Sequence, residues 1–136
     1  MRGESVTRRA VTAVAAVGLA LALTAGPVHA APATTVVAGC DGSKLFAPTT
    51  LSSILCGDGG VIVTDIRWMG WTDSWATGLG TEHRKTCVPN CASGGITTQQ
   101  VGVWLGAPRN GAFTEVALYS SPDRPPRTYR LTGRLR

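Results

Sequence analysis

His83, Cys87 and Cys91 follow one another at a spacing of H-x3-C-x3-C, and two more cysteines, Cys40 and Cys56, lie upstream. Imidazole and thiolates at such separations are donors that zinc takes in tetrahedral sites, with Cys56 or Cys40 completing the set. The same four sulfurs can instead pair with one another. An even number of cysteines in a short exported chain reads as a disulfide framework, and that reading is preferred here. No metal and no cofactor are expected. Of three possible pairings, Cys40–Cys56 and Cys87–Cys91 are favoured because each closes a local loop. The second ring holds Val88-Pro89-Asn90, where proline and asparagine suit a tight turn.

Hydrolytic chemistry has few groups to build on. His83 is the only histidine beyond residue 30, and its neighbours Arg84 and Lys85 disfavour the imidazolium that a Ser-His-acid triad passes through. No G-x-S-x-G elbow occurs. Asp58, Asp65 and Asp73 could supply paired carboxylates for glycoside cleavage. Asp58-Gly59 is explained by a turn, however, and a small disulfide domain rarely holds the long cleft a glycosidase needs. Gly78-Leu79-Gly80 lacks the rest of any phosphate-binding fingerprint and reads as glycine in a strand or bulge. The expectation is a protein without enzymatic activity.

Two other groups of residues could recognise a ligand. Trp68, Trp71, Trp75 and Trp104 make up half of the aromatic side chains, and a small domain needs such residues in its core. The alternative is a platform in which Trp71 and Trp75, beside Asp73, stack on the sugar rings of a polysaccharide. At the other end, Arg124, Arg127, Arg130, Arg134 and Arg136 crowd the last residues with no acid after Asp123. Such a cluster attracts polyanions such as an anionic cell-wall polymer, or else decorates a last edge strand.

The first 30 residues read as a leader. Arg8 and Arg9 precede an uncharged run from Ala10 to Ala25; Gly26 and Pro27 break it, and Val28-His29-Ala30 is a cleavage pattern. The arginine pair leaves Sec and Tat export open. Val37-Ala38-Gly39-Cys40 has the residue types of a lipobox, so a lipid anchor on Cys40 is a minor alternative, set too far from the apolar run. No transmembrane segment is expected once the leader is removed.

Between residues 31 and 123, Lys44, Arg67, Arg84, Lys85 and Arg109 stand against Asp41, Asp58, Asp65, Asp73, Glu82, Glu115 and Asp123. That body is close to neutral, so the pI near 9.5 comes from the two ends. A mean hydropathy of +0.11 excludes a disordered charged polymer, and 17 glycines with 15% charged residues exclude a coiled coil. Turn pairs recur at Asp41-Gly42, Asp58-Gly59, Gly94-Gly95, Asn110-Gly111 and Pro122-Asp123. Strands are expected over 61–68, 100–105 and 113–119, with further ones over 76–83 and 128–131. Val101, Val103 and Leu105 share one side of their strand. Pro48 to Leu55 could form one or two helical turns. The architecture expected is all-β: a small antiparallel sandwich or partly open barrel over 31–123, stapled by two disulfides, with 124–136 as a tail or edge strand.

The order Cys56-Gly57-Asp58-Gly59, Trp68-Met69-Gly70-Trp71, Ala76-Thr77-Gly78-Leu79-Gly80-Thr81 and Cys87-Val88-Pro89-Asn90-Cys91-Ala92 resembles a group of small secreted actinomycete proteins without assigned function. The resemblance spans roughly 56–108 and implies export, disulfides and a β-rich domain. It transfers no activity. The functional expectation is a secreted binding or structural protein of unknown ligand. The alternatives are a protease inhibitor presenting the Cys87–Cys91 loop and a small secreted hydrolase.

Overall fold

The computed structural model describes residues 25–136, and the leader expected over 1–30 falls almost wholly outside them. The chain divides into two units, Met1–Ala30 and Ala31–Arg136. Of the first, residues 25–30 are described, and they are irregular and exposed. The second holds seven strands: β1 (Val37–Ala38), β2 (Lys44–Leu45), β3 (Val61–Trp71), β4 (Ala76–Lys85), β5 (Ile96–Gly106), β6 (Glu115–Tyr119) and β7 (Arg127–Arg130). The fold is all-β, as expected. A five-stranded antiparallel meander runs β3-β4-β5-β6-β7, with a two-stranded ribbon β1-β2 beside it and no closure into a barrel.

Alternation decides what the sheet buries. Val61, Val63 and Ile66 on β3, Val101, Val103 and Leu105 on β5, and Val116 and Leu118 on β6 all point to one face and are buried. Strict alternation along β3 would send Ile66 outward. A bulge between Thr64 and Arg67 resets the count, with Asp65 in the left-handed region at φ 52°. Gly80 makes room for this bulge, since a Cβ there would lie 2.8 Å from Val63 Cγ1 and 3.0 Å from the Thr64 carbonyl. The glycines of Gly78-Leu79-Gly80 are thus a packing requirement of the strand pair.

The inner face is covered by residues 34–56. Val37, Leu51 and Ile54 from this segment are fully buried against the sheet. Leu51 exchanges two backbone hydrogen bonds with Val63, at 2.8 and 3.1 Å. That bridge is why no helical turn forms over 48–55: the groups an α-helix would pair internally are already bonded to the sheet edge. Cys40–Cys56 ties the cover together, its Cα atoms 5.5 Å apart, and Cys87–Cys91 closes the β4–β5 connection. The Cys40 sulfur is therefore committed to Cys56, which removes the lipid-anchor alternative.

The arginine-rich end is woven into the same body. β7 is the edge strand, after which Leu131 N–H donates to the Thr114 carbonyl at 2.9 Å and Thr132 N–H to the Ser53 carbonyl at 3.0 Å. The Thr132 hydroxyl accepts the Cys56 N–H at 2.8 Å, beside the disulfide. Among the described residues no helix is long and apolar enough to cross a membrane.

Because Cys40 and Cys56 are 16 residues apart, their crosslink is worth about 3 kcal/mol by restriction of the unfolded chain. Cys40→Ser with Cys56→Ser is expected to lower the denaturant-unfolding free energy by that order. Cys87→Ser with Cys91→Ser should cost clearly less, since the ring is much shorter. Equal losses in the two double variants would contradict this ranking.

Candidate functional site

Trp71, Asp73 and Trp75 lie at the β3–β4 turn but do not make one exposed platform. Trp71 is the hub of an aromatic group that closes one end of the core: its ring centroid is 4.8 Å from Trp68, 5.1 Å from Phe46 and 5.5 Å from Phe113. Its indole N–H donates to the Thr35 carbonyl at 2.9 Å. The Asp73 carboxylate accepts the N–H groups of Thr34 and Thr35 at 2.6 and 2.9 Å, latching the turn to the cover segment. Those backbone bonds, Thr34 first, hold its carboxyl below the ordinary range. Of the two tryptophans only Trp75 is exposed, at 43%, and it rests over Gly70.

The tail arginines also part company. Arg127 turns inward, while Arg124, Arg130, Arg134 and Arg136 stay exposed. Arg136 packs its stem over Gly42 near Asp41, whose carboxyl is lowered mainly by Ser43 and less by Arg136. Arg130 sits opposite Glu115 on the outer side of the β6–β7 pair.

The inward turn of Arg127 completes a buried charge cluster at the opposite end of the core from Trp71. Glu82 shares the inner face with Val63, its register partner, and its side chain is 0% exposed. It accepts from Arg84 at 2.7 Å, and from Gln99 and Arg127 at 2.5 Å each. Burial pushes the Glu82 carboxyl up, but the hydrogen bonds from Gln99 and Arg84 and the charges of Arg127 and Arg84 outweigh it, so it lies below its ordinary value. The cluster joins β4, β5 and β7, and its carboxylate is fully engaged. It is a clamp across the sheet.

The remaining candidate acids and the histidine are likewise held in local bonds. Asp58 accepts the Gly60 N–H at 2.8 Å in its turn. Asp65 accepts the Thr64 hydroxyl at 3.0 Å, and Thr64 Oγ1 also lies 2.9 Å from His83 Nε2. All four cysteines are paired, so Cys87 and Cys91 bring no thiolate to His83. In the Cys87–Cys91 loop, Val88 is 81% exposed. The chain after it folds back on Asn90, whose side chain accepts from Ala92 and Ser93 and whose carbonyl accepts from Gly94. The tip of this loop is a closed turn.

A different surface has the form of a binding site. On the outer face of the sheet, Met69, Thr77, Leu79, Gly102, Trp104 and Tyr119 line a shallow groove of about 320 Å3. Gly102 is its floor: its partners across the ladder are Leu79 on β4 and Tyr119 on β6, which rise on either side. The six-membered ring of Trp104 lies over Gly106, in space a Cβ would fill. Met69, Leu79 and Tyr119 are 68, 54 and 45% exposed. Thr64, Thr81, Thr98 and Gln100 share this face at the register positions next to it, bringing hydroxyl and amide groups beside the apolar groove. Sequence reasoning passed over Trp104. The signal was the inward placement of Val101, Val103 and Leu105, which sends position 104 to the other side.

The Glu82 cluster has a pH signature. Since its folded-state value lies below the ordinary 4.5, the stability it contributes is complete above about that pH and is lost as pH falls through the folded value. Glu82→Ala is expected to cost about 3 kcal/mol at pH 7, by leaving two guanidinium groups without their shared partner. Glu82→Gln should flatten the acid limb of the stability–pH curve measured by denaturant unfolding. An unchanged acid limb would show that another group governs it.

No protein-family model, no curated protein and no solved structure matches this chain.

Proposed function

We propose that the domain is a non-enzymatic binding protein of the cell exterior that takes a polysaccharide chain on its open sheet face. The observation that carries this reading is the groove over Gly102, walled by Leu79 and Tyr119 with Trp104 alongside. Sugar rings offer apolar C–H faces to an aromatic side chain and hydroxyls to polar neighbours. The groove has both partners, in Trp104 and Tyr119 and in the threonine and glutamine side chains next to them. It is open along the face, which suits a polymer better than a small molecule needing enclosure. Two disulfides fit an oxidising compartment, and the leader-like first 30 residues point the same way. The non-enzymatic part rests on Asp58, Asp65, Asp73 and Glu82, each of which is engaged in a structural bond.

Gly102 offers a clean test. A Cβ there would meet Tyr119 at 3.5 Å, an ordinary contact, so the backbone accepts a side chain at Gly102, and the methyls of Gly102→Val would occupy the groove floor. Strand glycine is unfavourable, and the substitution should leave thermal stability unchanged or slightly raised. Co-sedimentation of the oxidised protein with insoluble cellulose, chitin and peptidoglycan is expected to show retention on at least one. Gly102→Val and Trp104→Ala should each weaken that retention at least about tenfold, a loss of about 1.4 kcal/mol. No retention on any polymer, or retention that both variants keep, would overturn the proposal.

A further inference from the structure

A second cleft lies away from the outer-face groove and owes nothing to the polysaccharide reading. It has a volume of about 310 Å3, and two cations, Arg109 and Arg134, line it together with Asn110. Its remaining wall is largely apolar, built from Phe113, Leu131 and Leu135. No acidic side chain lines it. Among the described residues, the guanidinium groups that contact a carboxylate within 4 Å are those of Arg84 and Arg127, both on Glu82.

Both arms of the cleft are held by backbone structure. Arg109 precedes the two-residue turn Asn110-Gly111, with φ of 51° and 77°, and exchanges hydrogen bonds of 2.8 and 3.1 Å with Ala112. Arg134 follows Leu131 and Thr132, which are bonded to Thr114 and Ser53, and Gly133, which is packed on the Ala38 carbonyl. Two like charges brought to one cleft by separate segments repel each other, and an anion between them removes that cost. Guanidinium groups form paired, charge-assisted hydrogen bonds with phosphate oxygens, and two cations match a dianion.

We infer that the Arg109–Arg134 cleft is a phosphate-binding site for a phosphomonoester whose organic portion lies on the half-buried Leu131 and Leu135. The site is distinct from a general attraction of polyanions to the basic chain end, because it needs Arg109 from the β5–β6 connection.

The test is calorimetric or NMR titration of the full oxidised chain at low salt with phenyl phosphate, inorganic phosphate and acetate. Saturable binding is expected, tightest for phenyl phosphate and weakest for acetate. Arg109→Gln and Arg134→Gln should each weaken phenyl phosphate binding about tenfold or more, while Arg130→Gln, outside the cleft, leaves it unchanged. Thermal unfolding of these variants should match the parent, since both cleft side chains are exposed. Absence of saturable binding, or equal losses in all three variants, would overturn the inference. Trp104→Ala should retain phosphate binding, so failure of the outer-face reading leaves this result standing.

Discussion

A single five-stranded sheet has two faces and, in this chain, one segment with which to cover them. Residues 34–56 lie on the inner face, placing Val37, Leu51 and Ile54 against the valines and leucines of β3, β5 and β6. Everything else depends on that packing. A cover with only two short strands of its own has little backbone pairing to hold its shape. Cys40–Cys56 limits the disorder it regains on unfolding, and its contacts with the sheet do the rest. A domain of this size buries a modest fraction of its surface, so such restraint matters more than it would in a larger protein.

The two ends of the covered face are closed by different physics. At one, Trp71 packs among Trp68, Phe46 and Phe113 and spends its indole N–H on Thr35. At the other, Glu82 is buried only because three donors reach it, from β4, β5 and β7. An aromatic plug tolerates small shifts of the strands, whereas a carboxylate cluster demands a fixed curvature that brings β7 within reach of β4. The clamp thereby ties β7 to β4 across the two strands between them.

Much of this architecture could be read from residue order. The β-branched run from Val61, the alternation at Val101-Gly102-Val103 and the Asn110-Gly111 turn each specify local geometry directly, and both disulfides followed from favouring local loops. Other features depend on contacts between distant segments. Leu51 bonds across to Val63, so the short stretch that could have wound into a helix became a bridge. β5 starts at Ile96, several polar residues before its apolar alternation, because pairing with β4 carries it there. In the sequence Glu82 stands out only as one of the acids that balance the charge of residues 31–123. Its place on the same face as Ala76, Gly78 and Gly80 is a matter of counting by twos along β4, but the arginine from β7 that makes its burial tolerable is 45 residues away. The platform proposed at Trp71 and Trp75 drew on residue type and proximity; the open face instead carries Trp104, set there by strand parity.

The central claim is that one face of the sheet is sealed and the other is bare. Hydroxyl-radical footprinting of the oxidised protein reads this residue by residue. With each residue referred to its own rate in the unfolded chain, the account predicts near-unfolded oxidation rates at Met69, Leu79 and Tyr119, with Leu51, Phe113 and Leu118 slowed at least about tenfold. Comparable oxidation of Leu51 and Met69, or protection of Met69 and Tyr119 in the isolated domain, would contradict it.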